Sequence, residues 1–281
     1  MKTLLLCATF LCATGTLVFA ADMQADQTVT RAVEAANGKV ELLGGFEGKN
    51  GQAGQVGLDG GAAFSVPLGD KFGFQADFAA NSSFGQGSFG TTGHLFTRNP
   101  NQYLLGLIGG GVWSNTSGSY YIGPEAEIYA GRFTLEGSAA VMSQNLFGSG
   151  TASFYGKGNV AYYATPNLRI ELGAKDVAGY NTAHVGLEWQ VKDASPLSLT
   201  LAGTVGDNSY LGAMAGLKFY FGSNGATLVD RHRKYDPANT SLDIVSGTGG
   251  PFNAAPVTQQ VVKLPFKCSV QSQIGFVPTP C

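Results

Sequence analysis

Few residues of this sequence could carry out acid–base or nucleophilic chemistry. The chain contains three histidines, His94, His184 and His232. His184 could pair with Asp176 or Asp207 in a protease-like or acylase-like site, because a carboxylate can orient an imidazole and stabilise its charge. Nothing in the spacing places a serine beside His184. We therefore expect His184 to be a polar lining residue, and we predict no catalytic site.

The other chemical motifs are also incomplete. Gly109, Gly110 and Gly111 resemble part of a phosphate-binding loop, but no lysine and no helical pattern follow them. They indicate instead a place where a strand bends or a neighbouring ring packs. The formal net charge of -2 argues against a basic nucleic-acid-binding protein. No cofactor is expected.

The first twenty residues have the pattern of a secretory signal peptide. Lys2 supplies the positive start, an apolar run extends from Leu4 to Leu11, and Ala20 completes a small-residue cleavage site. We predict cleavage after Ala20, which leaves an exported chain. The alternative, an uncleaved anchor, fits poorly because this segment is short for a membrane span.

Signal-peptide cleavage also removes two of the four cysteines, Cys7 and Cys12. Cys268 and Cys281 remain, and neither has a histidine or another cysteine at metal-ligand spacing, so no metal site is expected. An even pair of cysteines in an oxidising compartment predicts a disulfide bond between them.

The remaining polar residues must be positioned by β-strands. From about residue 39 to 221, apolar and polar side chains alternate with period two, and short turn signals interrupt the alternation. Strand four alternates poorly, so ten strands are an alternative, and Pro124 predicts a β-bulge around Gly123. We predict an all-β fold with twelve strands, at about 39–49, 55–68, 71–80, 88–98, 102–114, 119–130, 132–143, 151–164, 167–178, 183–192, 197–206 and 209–221.

The connections between these strands fall into two classes. Tight turns such as Gly69-Asp70 alternate with slightly longer segments rich in Gly, Asn and Ser, such as residues 144–150. Bacterial barrels have short periplasmic turns and longer outer loops. An even number of strands leaves both chain ends on the periplasmic side. The predicted organisation is a signal peptide (1–20), a periplasmic leader (21–38), a barrel (39–222) and a Pro-rich periplasmic tail (223–281).

The charged residues distinguish a membrane barrel from a soluble one. The strand region holds 23 charged residues, and 19 of them fall on the polar phase of their strands. A barrel in lipid must keep its charges inside, because a midplane Lys or Arg facing lipid costs about 2–4 kcal/mol. We therefore predict a closed antiparallel transmembrane β-barrel. Its predicted lumen-lining residues are the basic Lys39, Lys49, Lys71, Arg98, Arg132, Lys157, Arg169, Lys175, Lys192 and Lys218, the acidic Glu41, Glu47, Asp59, Asp77, Glu125, Glu127, Glu136, Glu171 and Glu188, and the histidines His94 and His184.

Outward-facing aromatic residues predict the height of the membrane. Tyr103 and Trp113 share one face of a strand and lie ten residues apart, which in a tilted strand is roughly 25 Å along the membrane normal. Aromatic rings collect at the two membrane interfaces. The predicted aromatic girdle comprises Phe72, Tyr103, Trp113, Tyr120, Phe133, Tyr162, Trp189, Phe219 and Phe221.

The signal peptide, the Gly-rich alternating strands and the closing segment 216–221 together resemble bacterial outer-membrane β-barrel proteins of the small porin-like and opacity-protein-like class. In that class, a glycine followed by a hydrophobic residue at +3 and an aromatic residue at +5 is recognised by the barrel assembly machinery. Gly216, Phe219 and Phe221 match this signal. Met214 departs from the pattern, and the residues after Phe221 have no counterpart in it. The resemblance implies outer-membrane lipid and the assembly machinery as partners.

Two functions remain open at this stage. The ten basic and nine acidic lumen residues nearly balance, which suits either a wet and weakly selective pore or a filled barrel with paired charges. We expect a small porin-like channel for passive passage of polar solutes. The alternative is a non-conducting structural barrel that anchors its tail in the cell envelope.

The tail carries a basic cluster, Arg231-His232-Arg233-Lys234. One interpretation is contact with phospholipid headgroups at the periplasmic face. The other is docking to an acidic envelope polymer.

Overall fold

The computed structural model describes residues 30–50, 54–114, 117–144, 152–193 and 195–246. Its twelve strands form one closed antiparallel barrel, so the predicted fold is confirmed and the ten-stranded alternative is wrong. The predicted signal peptide and both Cys268 and Cys281 lie outside the described residues, so the cleavage and the disulfide stay predictions. The strands are β1 (Asn37–Gly48), β2 (Gln55–Leu68), β3 (Phe72–Ser83), β4 (Gln86–Asn99), β5 (Tyr103–Ser114), β6 (Gly118–Ala130), β7 (Phe133–Ser143), β8 (Ala152–Thr165), β9 (Leu168–Val177), β10 (Tyr180–Gln190), β11 (Leu197–Gly206) and β12 (Tyr210–Phe221).

Closure of the barrel depends on the pairing of β1 with β12. Glu41 is opposite Lys218, and Leu43 is opposite Gly216. A Cβ atom at Gly216 would lie 2.2 Å from the carbonyl oxygen of Leu42, so only glycine allows the two strands to approach this closely. Because every strand has two hydrogen-bonded neighbours, no edge is left unpaired, as lipid requires.

The outer surface of the barrel is apolar along the middle of the strands. Leu42, Ile122 and Leu172 expose between 65% and 68% of their surface there. Aromatic residues pack on one another near the strand ends, with Trp113 against Tyr120 and Phe133 against Tyr162. A soluble protein rarely exposes so large a continuous apolar surface, so this face suits hydrocarbon.

Strand β6 lacks the β-bulge that was predicted around Gly123. The register between β6 and β7 is the same on both sides of Pro124, since Ile122 pairs with Val141 and Glu125 with Ser138. No residue is inserted, and the predicted bulge is wrong. The hydrogen-bond ladder between β6 and β7 skips Pro124, because proline has no N–H to donate. Gly123 allows β7 to approach closely, since a Cβ atom added at Gly123 would lie 1.9 Å from the carbonyl oxygen of Ala139.

Residues 228–246, which belong to the tail predicted to be periplasmic, lie inside the barrel, whereas residues 247–281 lie outside the described residues, so the prediction for them stays untested. After Phe221 the chain turns into the lumen and forms α1 (Leu228–Asp230), a π-helical turn (Arg231–Tyr235) and α2 (Thr240–Val245). We call residues 228–246 the plug. It runs from the near end of the barrel, where β1 begins and β12 ends, towards the far end. No helix among the described residues is long and apolar enough to cross a membrane.

The position of Leu172 predicts a sensitive test of the lipid-facing surface. Leu172→Arg places a charge in the hydrocarbon at mid-strand and should destabilise the folded barrel by about 2–4 kcal/mol. Thr204→Lys, which faces the lumen, is the matched control and should have a small effect. The measurement is the folded fraction in a urea titration, read as heat-modifiable migration in SDS gels. Equal loss for both variants would contradict the assignment of the two faces.

Candidate functional site in the plugged lumen

The far part of the plug is anchored by apolar contacts. Ile244 and Val245 are fully buried in a cluster with wall residues that include Met142 and Tyr155. Asn239 caps α2 by accepting a hydrogen bond from the backbone N–H of Leu242 at 2.8 Å. A short helix is marginal by itself, so these contacts with the wall stabilise it. The whole apolar cluster comprises Ala79, Ile108, Val112, Tyr121, Ala140, Met142, Tyr155, Val177, Ile244 and Val245.

Buried ion pairs hold the plug at two heights. At the near end of the barrel, Lys39 pairs with Asp236, and both side chains are at least 94% buried. This contact is an ion pair without a directional hydrogen bond to either Asp236 oxygen. Nearer the far end, Lys157 pairs with Asp243, and Lys175 donates to the backbone carbonyl of Ser246 at 2.8 Å. The plug thus supplies carboxylates and carbonyls to wall lysines that would otherwise be buried without a partner.

Neutral hydrogen bonds fix the register of the plug between these ion pairs. Thr92 on β4 bonds to Ser241 at 2.6 Å and to Tyr121 at 2.5 Å. The backbone N–H of Thr240 donates to Asp77 on β3 at 2.7 Å. Buried polar groups need such partners, so Asp77 of β3 and Thr92 of β4 fix the position of the plug along the wall.

His94 is part of this supporting network. Its Nε2 atom lies 2.9 Å from Asp77 and its Nδ1 atom 2.9 Å from Glu125. Both ring nitrogens face carboxylates, so the imidazole can donate in both directions when it carries both protons. His94 is completely buried, and this arrangement pairs charges and does not present a reactive nitrogen to a substrate.

A layer of aromatic and basic side chains forms the near end of the lumen. Arg231 lies over the ring of Tyr220, with its guanidinium carbon 4.7 Å from the ring centroid. Arg233 lies over Tyr129 and Tyr163, at 5.1 and 5.4 Å. Such cation–π contacts are strongest where water is excluded. We call these five residues, together with His232, the floor.

His232 connects two tyrosines of the floor. Its Nδ1 atom lies 2.9 Å from the Tyr163 hydroxyl and its Nε2 atom 3.0 Å from the Tyr220 hydroxyl. Tyr220 donates to Glu188 at 2.6 Å, so its oxygen accepts from the Nε2–H of His232. In the neutral imidazole, Nδ1 then accepts from the Tyr163 hydroxyl. Burial, assisted by nearby basic side chains, lowers the pKa of His232 well below its usual value.

The N-terminal leader covers the near end beside the floor. Val33 is completely buried against Phe96, Leu104 and Tyr129. The backbone N–H of Glu34 donates to the carbonyl of Lys234 at 2.9 Å, which joins the leader to the plug. The leader and the plug, which flank the barrel strands in the sequence, therefore cover the same opening.

These contacts correct the headgroup interpretation of the basic cluster in the tail. Arg231 is 1% exposed, and Arg233 donates to the backbone carbonyl of Phe133 at 2.8 Å and to Thr134. Only Lys234 is substantially exposed, and it pairs with Asp230 at 2.9 Å. Binding of an acidic polymer through this cluster stays a prediction, and it would require these side chains to leave the lumen.

The plug leaves a chamber of about 180 Å³ in the lumen, which is large enough for several water molecules. Ion pairs join neighbouring side chains on the wall of the chamber. Arg169 lies 2.6 Å from both Glu136 and Glu171, and Lys218 lies 2.9 Å from Glu188. Its charged lining residues are six basic, Lys39, Lys157, Arg169, Lys175, Lys218 and Arg233, and seven acidic, Glu41, Asp59, Glu127, Glu136, Glu171, Glu188 and Asp243.

The structure places most of the predicted lumen residues with their side chains facing the interior. The exceptions are Lys71, Arg132 and Lys192, which lie in turns and are exposed. Strand ends shifted by one or two residues account for these three corrections, since a turn residue has no fixed face. The plug was missed because it carries no strand period. The only sequence signal was the capping residue Asn239 before the apolar pair Ile244-Val245.

His184 forms an ion-pair contact with Glu171 at 3.9 Å. Asp176 and Asp207, its predicted partners, instead accept hydrogen bonds from the backbone of Gly179 and Asn181. No group of three or more His, Cys, Asp or Glu residues in the described part of the chain could hold a metal ion.

No protein-family model and no curated protein sequence matches the chain. Solved structures that resemble its barrel include the KdgM porin, at 8% identity and a TM-score of 0.47, covering 64% of this chain and 98% of that one. The NanC porin is 10% identical with a TM-score of 0.46, covering 64% and 98%. Outer membrane phospholipase A from Escherichia coli is 11% identical with a TM-score of 0.47, covering 70% and 94%. These neighbours are outer-membrane proteins, and they include both porins and an enzyme, so the activity of this chain has to follow from its own lumen.

The ion pair between Lys39 and Asp236 gives a test of plug stability. Asp236→Asn leaves Lys39 buried without its counter-charge and should weaken the docking of the plug by about 3–5 kcal/mol. The matched control is Asp230→Asn, which breaks the exposed pair with Lys234 and should cost about 0–1 kcal/mol. Hydrogen exchange of the plug amides, read by mass spectrometry, distinguishes the two. Similar protection in both variants would contradict the role of Asp236.

A second test uses acid. Burial by itself would raise the pKa of Asp243, but Lys157 and Lys175 outweigh burial and hold it below its ordinary value of 3.8. The stabilisation from Asp243 is therefore complete above that ordinary value and is lost as the pH falls through the lowered pKa. We expect an acid protease to cleave the plug only at such low pH. Asp243→Asn should make cleavage less dependent on pH, and an unchanged pH profile would contradict this assignment.

Proposed function

We propose that this protein is exported by its signal peptide, is inserted into the outer membrane and forms a narrow channel for the passive passage of small polar solutes. The apolar exterior and charged lumen of the barrel support the membrane location. The observation that carries the channel function is the charged chamber beside the plug. The lumen of a twelve-stranded barrel is wider than that of filled eight-stranded barrels and narrower than that of open sixteen-stranded barrels. A plug of this size can therefore leave a restricted passage.

The charge balance of the chamber supports weak ion selectivity. Six basic and seven acidic side chains line it, and most of them are engaged in ion pairs with one another. Paired charges create a weaker net field than a ring of like charges does. Such a lining favours neither cations nor anions strongly, and it suits neutral or zwitterionic solutes.

A second candidate is the non-conducting structural barrel. The apolar cluster around Ile244 and Val245 and the buried contacts of Val33 favour it, because apolar side chains exclude water near the two ends of the lumen. In this case the chamber would hold trapped water. The two candidates differ in one measurable property, which is conductance.

Planar-bilayer recording decides between them. The folded, heat-modifiable protein should give small and weakly selective conductance steps. Asp236→Asn combined with Asp243→Asn should give larger steps, because the plug loses both of its carboxylate contacts with wall lysines. Silence of the wild-type protein across many insertions would favour the structural barrel.

A further inference from the structure

The order of the plug's contacts gives its direction through the lumen. In the closed antiparallel barrel, the odd-numbered strands run from the near end to the far end. At the near end, the carbonyl of Lys234 accepts a hydrogen bond from the backbone N–H of Glu34 in the leader. Two residues later, Asp236 pairs with Lys39, which is the third residue of β1. The plug therefore starts at the opening where β1 begins.

The later contacts of the plug lie progressively further along the odd-numbered strands. The backbone N–H of Thr240 donates to Asp77, which is the sixth of the twelve residues of β3. The carbonyl of Ser246 accepts from Lys175, which is the eighth of the ten residues of β9. Ser246 therefore lies in the last third of the strands, towards the far opening.

The plug is long enough to cross the apolar part of a membrane. From Lys234 to Asn239 the chain advances at most ~3.3–3.6 Å per residue, and from there through α2 to Ser246 it advances ~1.5 Å per residue. The sum is at most about 28 Å. The apolar band on the outside of a membrane barrel is about 25 Å tall, so the described part of the plug can span that height.

The chamber beside the plug is too small for the chain to turn back through it. Its volume of about 180 Å³ holds several water molecules. A chain that recrossed about 25 Å would need at least about seven residues, which do not fit in that volume. The near end is also covered, since Arg231 in the floor and Val33 in the leader are no more than 1% exposed.

We infer that the plug is a crossing segment: the chain passes through its own barrel and, after Ser246, leaves by the far opening. The longest connection between strands, residues 144–151, lies at the far end, and outer loops are longer than periplasmic turns, so this opening faces the outside of the cell. The barrel then holds the residues from 247 onward at the cell surface and not in the periplasm. This inference rests on the outer-membrane location and goes beyond the channel function, because a crossing segment works whether or not solutes pass beside it.

Epitope tags at the two ends of the mature chain test the crossing. One tag follows Cys281, and the matched control tag is inserted after Met23, in front of the leader. An antibody does not cross the outer membrane, so on intact cells it should bind the C-terminal tag of the full-length, heat-modifiable protein. It should bind the control tag only after the membrane is permeabilised. A C-terminal tag that also needs permeabilisation would overturn the inference.

Locking the plug in place shows whether the tag is outside while the plug is in the lumen. The Oγ1 atom of Thr92 and the Oγ atom of Ser241 lie 2.6 Å apart, so Thr92→Cys with Ser241→Cys can form a disulfide. Cys268→Ser and Cys281→Ser in the same tagged chain prevent other bonds. Antibody binding to the C-terminal tag on intact cells should be unchanged by oxidation. Loss of binding on oxidation, or failure of the two thiols to pair, would overturn the inference.

Conductance separates this inference from the proposed function. Silence in planar bilayers, with the C-terminal tag outside the cell, would contradict the channel and support the crossing segment. Conductance with the C-terminal tag in the periplasm would support the channel and overturn the crossing segment.

Discussion

The structure follows from the inability of lipid to hydrogen-bond with the backbone. Every N–H and C=O group at membrane depth must find a partner within the protein, so the sheet has to close and β1 has to pair with β12. Closure then divides the side chains into an outer and an inner set with period two. The outer set must be apolar, and nearly all charges are forced into a lumen of limited width. The lumen therefore has a problem of its own, which is how to keep so many charges in a confined space.

The plug is one solution to this problem. Asp236 and Asp243 supply counter-charges to Lys39 and Lys157. These contacts are strong because they are shielded from water, and for the same reason the loss of one partner is costly. Elsewhere the wall satisfies itself through pairs such as Lys218 with Glu188.

The histidines illustrate how the same residue type can serve structure in a charged interior. His94 bridges two carboxylates, whereas His232 bridges two tyrosines as a neutral ring. Both have their two nitrogens occupied, as expected of buried polar groups. His184 differs, because its nearest charged partner is 3.9 Å away and it faces the chamber.

The sequence alone determined the barrel, because alternation with period two is a local property of each strand. It placed Glu188 and Lys218 inside, and it placed Phe219 and Phe221 outside, where the structure exposes both rings.

The sequence failed where a position depends on contacts far along the chain. Lys39 bonds to the carbonyl of Pro237, 198 residues away, and no local pattern in the tail indicates that partner. Exposed turns such as those of Lys71 and Arg132 have no period that fixes a face. Only the tertiary structure decided that residues 228–246 enter the lumen, because the free energy that holds them there comes from wall groups that the barrel brings together.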